Sequence, residues 1–136
     1  IGKSDLIKKK NYNIKIVDKI FHGNPLELRL FYSASDILLA PSKLEAFGQV
    51  ALEASCCGTP CVAFKNTGFE DIIEHQKNGY LAKYCNQNDF NNGLKQMLNI
   101  LEKQADVIKN DCISTSNNFS NEIIVKSYIS VYKDLI

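Results

Sequence analysis

The sequence is poor in arginine. Among its 136 residues, 15 are lysine and only Arg29 is arginine, and the formal net charge is +1. The densest basic run is the lysine triplet at positions 8–10. Proteins that bind nucleic acid usually carry a basic face, with arginine forks that bind phosphate or guanine. The composition therefore argues against a nucleic-acid-binding protein, and we expect no nucleic-acid partner.

The sequence also lacks any apolar run close to the ~20 residues that a membrane-spanning helix requires. It has two histidines, His22 and His75, and neither stands at ligand spacing from the five cysteines, which form no CxxC pair. We therefore expect no transmembrane segment and no metal site. The cysteines are predicted to be buried, reduced thiols, which is typical of a cytoplasmic protein.

What is present is a globular composition with a clear periodicity. Hydrophobic residues make up 45% of the chain and charged residues 23%, which is enough to bury a core without disulfides or metal. Short apolar runs alternate with helical patterns, which predicts an α/β fold, a Rossmann-like parallel sheet flanked by helices. Strands are predicted at 14–17, 20–22, 36–40, 61–64 and 80–82. Helices are predicted at 24–34, 49–57, 88–102 and 106–117 and from 120 to the C-terminus.

The segment that follows the 36–40 strand is the strongest candidate for a functional site. Ligands of open parallel sheets bind beyond the carboxyl ends of the strands, and here a loop containing Gly48 leads into a helix. The first amides of a helix have no partners within the helix, and the helix dipole makes that end positive. A phosphate group can therefore bind there. Gly48 would let the phosphate approach the backbone, because glycine has no Cβ.

Two carboxylates, Glu45 and Glu53, flank this predicted phosphate site. A carboxylate suits such a place when it accepts hydrogen bonds from hydroxyls, as in the ribose contacts of dinucleotide sites. The two residues would then bracket a nucleotide sugar. The alternative is that Glu53 faces solvent and that Glu45 only complements the helix dipole, and the spacing alone favours this alternative.

The segment from Tyr32 to Ala82 resembles the donor-binding half of a family 4, retaining glycosyltransferase with the GT-B fold. The family has an ordered series of motifs around a Glu–x7–Glu element, and the series is far more specific than any one motif. The matching residues here are, in chain order, Ser33–Asp36, Pro41–Ser42, Glu45, Phe47–Gly48, Glu53–Ala54, Gly58–Val62, Thr67–Ile73 and Asn78–Ala82. Phe21–Gly23 also resembles the strand end that precedes the family's nucleobase loop.

The resemblance implies a role for each matching residue. Glu45 would be the catalytic residue and would face the hydroxyls of the transferred sugar, near the reacting carbon. Glu53 would bind the ribose hydroxyls. The diphosphate would be held by the backbone amides of Phe47, Gly48, Gln49 and Val50.

The same resemblance implies the substrates. Gly23 and Asn24 would lie near the base of a nucleotide-diphosphate sugar of the UDP or GDP type. The acceptor would be a glycan, a polysaccharide or a lipid-linked sugar, and the enzyme would work in the cytoplasm or at the inner face of the membrane. The family usually needs no metal, and this chain lacks the Asp-x-Asp motif with which the other main transferase fold binds metal and diphosphate.

The sequence departs from the family pattern at one loop, where a pair of glycines is reduced to Thr67–Gly68. Phe69, which follows, is either a specificity element or a core residue. The family's acceptor domain and its basic diphosphate clamp have no counterpart here. We therefore expect residues 1–136 to be a single, partial donor-binding domain, incomplete at its N-terminus, which transfers no sugar alone.

Two further expectations concern surfaces. The helical tail, residues 103–136, would pack on the missing domain, and its apolar stripe or an open sheet edge would otherwise promote self-association. The alternative interpretation of the whole chain is a non-catalytic module that binds a nucleotide or a nucleotide sugar.

Overall fold

A computed structural model of the chain describes residues 24–135. The strands predicted at 14–17 and 20–22, the lysine triplet and Gly23 lie outside the described residues. The described elements are, in chain order, α1 (Pro25–Ser33), β1 (Leu38–Ala40), α2 (Gln49–Cys56), β2 (Cys61–Phe64), a 3₁₀ helix (Gly68–Asp71), β3 (Gly79–Ala82), α3 (Gln87–Asn117) and α4 (Asn121–Asp134).

The three described strands form one parallel sheet in the order β1-β2-β3. Leu39 is opposite Val62, and Val62 is opposite Tyr80. Helix α2 connects β1 to β2, and the 3₁₀ helix lies in the connection from β2 to β3. The prediction of a Rossmann-like parallel sheet flanked by helices, with a helical C-terminal end, is confirmed.

Local signals in the sequence explain where the helices begin. The Asn24 side chain caps α1, since its Oδ1 accepts a hydrogen bond from Leu26 N at 3.1 Å, and Pro25 occupies the first helical position. Asn86 caps α3 in the same way, through Asp89 N at 3.0 Å. Ser120, where the last helix is predicted to begin, stands at the N-cap of α4, but its side chain makes no capping hydrogen bond.

The core lies on both faces of the sheet. All residues of β2 and β3 are buried, which agrees with the continuous apolar runs expected of a parallel sheet. One cluster, with Ala51, Phe69 and Ile72, covers the face against α2. The other, with Val62, Met97 and Ile108, covers the face against α3.

Strand β1 is less covered than its sequence predicts. The run at 36–40 suggests burial on both faces, yet Leu39 is 45% exposed. Leu39 is in register with Val62, which belongs to the cluster on the α3 face. Over the sheet, helix α3 packs mainly on β3 and β2, so among the described strands it leaves β1 partly open.

The C-terminal part of the described chain divides into two pieces with different surroundings. Helix α3 changes direction at Gln104, whose backbone is not helical, close to the predicted end of one helix and the start of the next. Beyond this kink Ile108 and Cys112 are buried against the sheet. No residue of α4 is buried. The contact of the tail with another domain and the self-association stay predictions.

The cysteines only partly follow expectation. All five are free thiols, but only Cys61 and Cys112 are buried, whereas Cys56 and Cys85 are exposed. The prediction of burial was therefore wrong for Cys56, the last residue of α2, and for Cys85, between β3 and α3, because both side chains lie at the surface. Within residues 24–135, no helix has both the length and the apolarity to cross a membrane.

Candidate functional site

The loop between β1 and α2 follows the carboxyl end of β1 and leads directly into α2, as predicted. Gly48 is the N-cap residue of α2, with a left-handed φ of 91° that favours glycine. A Cβ at this position would lie 2.7 Å from Cδ1 of Phe69. The expectation that the missing Cβ lets a phosphate approach the backbone stays a prediction. The geometry requires glycine because of the backbone angle and the neighbouring phenyl ring.

Glu45 binds the start of the same helix. Its Oε1 accepts a hydrogen bond from the Gly48 amide at 3.2 Å, so this carboxylate does complement the helix N-terminus. The amides of Phe47, Gln49 and Val50 have no acceptor among the described residues. Three of the four predicted diphosphate amides therefore lack an acceptor there, and the amide of Gly48 is occupied by a carboxylate of the chain itself. The Phe47 amide lies against the loop that follows β2, so the amides of Gln49 and Val50 are the open ones.

The loop between β2 and the 3₁₀ helix supports the loop between β1 and α2. The Gly68 amide donates to the Glu45 carbonyl at 2.7 Å. A Cβ on Gly68 would lie 2.4 Å from Phe47 N and from the Ala46 carbonyl carbon, which shows how closely the two backbones pass. Thr67 caps the 3₁₀ helix through Phe69 N at 3.4 Å. Phe69 is completely buried, so of the two roles considered for it the structure favours that of a core residue.

Glu53 lies one turn inside α2 and is half-buried. Its Oε2 accepts a hydrogen bond from the Tyr32 hydroxyl of α1 at 3.1 Å, and its Oε1 accepts one from Gln49 Nε2 at 3.3 Å. Glu53 is therefore not a freely solvated helical residue, and its contact with the ribose hydroxyls stays a prediction. Burial and the hydrogen bond to Glu53 raise the pKa of Tyr32 well above its usual value, so the hydroxyl stays a donor at neutral pH.

Tyr32 is held at both its side chain and its backbone. Its carbonyl oxygen accepts a hydrogen bond from Oγ1 of Thr59 at 2.7 Å, and Thr59 is buried. In the sequence, Tyr32 stands at the start of the segment that resembles the family, with no role of its own. The available signal was its phenolic hydroxyl, because a half-buried tyrosine hydroxyl usually finds a partner.

The other predicted site residues have clear positions. The Asn24 side chain is exposed and caps α1. Phe47 packs edge-on against Phe119, with ring centroids 5.7 Å apart, which ties the loop to the segment between α3 and α4. Gly23 lies outside the described residues. The structure thus brings Glu45, the amides of α2 and Glu53 to one end of α2.

Asn78 begins the Asn78–Ala82 motif, whose place in the family pattern implies no structural role by itself. It is 1% exposed, its Oδ1 accepts from Glu74 N at 2.8 Å, and its Nδ2 donates to the Ile72 carbonyl at 2.9 Å. These two bonds close the loop that leads into β3. The motif residue thus shapes the chain after the 3₁₀ helix.

A cavity of about 410 Å³ lies elsewhere, between the ends of α1 and α2 and the face of α3. Its lining includes Asp36, Thr59 and Pro60, which precede β1 and β2. It therefore opens at the amino ends of the strands, opposite the loop that carries Glu45 and Gly48.

Comparison with known proteins places this architecture among the sugar transferases. Residues 2–111 match the family described as glycosyl transferases group 1, and the chain belongs to this family. It is 30% identical over 125 residues to the N-acetyl-alpha-D-glucosaminyl L-malate synthase of Bacillus anthracis, a match that covers 91% of this chain and 33% of that protein. The chain thus spans about a third of the length of this curated relative.

Solved structures of the same kind confirm the fold. Sucrose-phosphate synthase from Thermosynechococcus elongatus superposes with a TM-score of 0.66 at 28% identity, over 78% of this chain and 27% of that one. Anabaena HepE, solved in complex with UDP, gives a TM-score of 0.68 at 23% identity, over 81% of this chain and 30% of that one. The predicted GT-B resemblance is therefore confirmed.

Proposed function

We propose that this chain is the donor-binding domain of a retaining glycosyltransferase, which moves a sugar from a nucleotide-diphosphate sugar to a glycan, a polysaccharide or a lipid-linked acceptor. The observation that carries the proposal is the end of α2, where two open backbone amides lie between two carboxylates in a chain of this family. Amides at a helix N-terminus suit a diphosphate, and carboxylates suit sugar hydroxyls.

The open amides of Gln49 and Val50 are the proposed first contacts of the diphosphate. In the reaction, the bond between the anomeric carbon and the phosphate oxygen breaks, and the nucleoside diphosphate leaves with the bonding electrons. The acceptor oxygen bonds to that carbon, and its hydroxyl proton passes to the departing phosphate oxygen. Backbone donors aimed at the departing oxygens stabilise the charge that develops there. The amides of Phe47 and Gly48 are proposed to complete this cradle.

Glu45 is proposed to contact the sugar. Its carboxylate now accepts from the Gly48 amide, and a bound sugar hydroxyl would offer it a replacement donor. The exchange would release the Gly48 amide for the diphosphate. Glu53 is proposed to bind the ribose hydroxyls, and Gly23 and Asn24 are proposed to contact the base. The acceptor is proposed to bind outside this chain.

The proposal is tested by nucleotide binding to the full 136-residue chain. Ligand-observed NMR with UDP and GDP, in EDTA because no metal is proposed to take part, should detect binding of one nucleotide. Glu53→Ala should weaken it at least about tenfold, because the ribose hydroxyls lose a charged acceptor. Glu122→Ala, an exposed glutamate in the first turn of α4, is the matched control and should bind as the parent does. Equal binding by both variants would contradict the ribose role.

We also propose that the chain does not transfer sugar alone, since it spans about a third of its relative's length. Release of nucleoside diphosphate should stay at the background rate when the chain is mixed with donor and candidate acceptors. Clear turnover by this chain would contradict that part of the proposal.

A further inference from the structure

We propose that Tyr32 is a positioning residue, which holds the Glu53 carboxylate in the orientation that accepts the ribose hydroxyls. The inference rests on the proposed function, because it assumes that Glu53 faces a ribose. It assigns a role to Tyr32 of α1, which contacts the Glu53 carboxylate of α2 and does not contact the ligand.

The first argument is the geometry of the carboxylate. An ionised carboxylate has two oxygens with about four acceptor positions in total. Tyr32 and Gln49 each donate to a different oxygen of Glu53, at 3.1 and 3.3 Å. One acceptor position therefore remains on each oxygen, which suits two neighbouring hydroxyls of one ribose.

The second argument is that Tyr32 is itself fixed. The buried Thr59 donates to the Tyr32 carbonyl at 2.7 Å, so the tyrosine is anchored through its backbone as well as its side chain. Gln49, by contrast, is exposed, and a flexible exposed donor restrains a partner less. The restraint on Glu53 therefore comes mainly from Tyr32, across 21 residues of sequence.

The third argument is preorganisation. A free glutamate side chain samples several rotamers and loses that freedom when it binds a ligand, which weakens binding. A hydrogen bond from a fixed hydroxyl removes part of this loss before the ligand arrives. Tyr32 should thus act on the recognition of the ribose hydroxyls and leave the diphosphate contacts of α2 unchanged.

The test compares UDP with 2′-deoxy-UDP as ligands of the full chain. In the parent protein UDP should bind more tightly, because Glu53 can bind both ribose hydroxyls. Tyr32→Phe keeps the ring and removes only the hydroxyl. It should weaken UDP binding by about three- to tenfold, as the loss of one hydrogen bond would, and leave 2′-deoxy-UDP much less affected.

Tyr80→Phe is a matched control, because Tyr80 also donates to a carboxylate, Asp89, at 3.1 Å. It removes the same atom from the same kind of bond and should keep the preference for ribose. In a Glu53→Ala background, Tyr32→Phe should have no further effect on either ligand. Thermal unfolding of each variant confirms that it is folded at the temperature of the titration.

The outcomes separate the two proposals. If the parent prefers UDP and Tyr32→Phe keeps that preference in full, the positioning role is overturned and the ribose role of Glu53 stands. If the parent binds both ligands alike, the ribose role is overturned and the positioning role with it. GDP and 2′-deoxy-GDP replace the uridine pair where GDP is the nucleotide that binds, and a parent that binds neither UDP nor GDP overturns both roles.

Discussion

Gly68 offers the sharpest test of how the candidate site is built. Its amide bonds the Glu45 carbonyl at 2.7 Å, and a Cβ added to it would lie 2.4 Å from both the Ala46 carbonyl carbon and Phe47 N. Ordinary Cβ contacts begin at 3.4 Å. These neighbours are backbone atoms, so no side chain can turn aside. In Gly68→Ala the two loops must therefore separate by roughly an ångström, a backbone shift of the kind that overpacking forces.

The cost can be worked out from that geometry. Overpacking of this kind costs about 1–3 kcal/mol, and a weakened hydrogen bond between Gly68 and Glu45 adds about 1 kcal/mol. We expect Gly68→Ala to lower the free energy of unfolding by about 2–4 kcal/mol, a large share of the ~5–15 kcal/mol typical of a domain. Urea unfolding followed by circular dichroism measures it. Because the loop that carries Glu45 and Phe47 shifts, UDP affinity should also fall by about tenfold or more.

Gly58→Ala is the matched control. Gly58 has a φ of 79°, and its added Cβ would meet the side chain of Lys109, which can move. The left-handed backbone alone should cost about 1–2 kcal/mol. Since Gly58 follows the other end of α2, nucleotide affinity should stay unchanged. If Gly68→Ala unfolds within about 0.5 kcal/mol of the parent, or binds UDP equally well, the inferred support of one loop by the other is refuted.

Two further predictions concern the loop that leads into β3. Asn78→Ala should lower the free energy of unfolding by about 2–4 kcal/mol, because it leaves Glu74 N and the Ile72 carbonyl without partners. The exposed Asn110→Ala should change it by less than about 0.5 kcal/mol in the same urea titration. Burial, and then the charge of Lys65, lower the pKa of His75 against the opposing effect of Asp89. Its neutral Nδ1 accepts from Leu81 N at 3.1 Å. Since the unfolded chain then binds a proton that the folded chain refuses, stability should fall as the pH drops from His75's ordinary pKa of 6.5 towards the lowered value. A His75→Gln variant with the same pH profile would contradict this assignment.

The sequence predicted well whatever depends on neighbouring residues. The start of α1 follows from Asn24 and Pro25, and the end of α2 follows from Gly58. The buried strand β2 follows from an apolar run after Pro60. Caps, helix stops and short apolar runs are local properties, so a pattern of a few residues contains the information needed to place them.

The sequence did not predict contacts between distant segments. The reason for the glycine at position 48 is the ring of Phe69, and the partner of Glu53 is Tyr32, both 21 residues away along the chain. The exposure of Leu39 depends on where α3 ends its coverage of the sheet. Such features follow from how elements pack together, and helical or strand periodicity contains no information about the partner.

The structure is better prepared to bind the nucleotide of the proposed donor than its sugar. On the nucleotide side, the amides of Gln49 and Val50 are open and Glu53 is already restrained, so a ligand there gains contacts with little loss of protein freedom. On the sugar side, Glu45 must first give up its bond to the Gly48 amide, worth about 1.5–3 kcal/mol because the acceptor is charged. A sugar hydroxyl that replaces this bond gains little net affinity, but it frees a third amide for the diphosphate. The affinity of this chain for a donor should therefore come mainly from the nucleotide, while the contact of the sugar with Glu45 serves to complete the cradle.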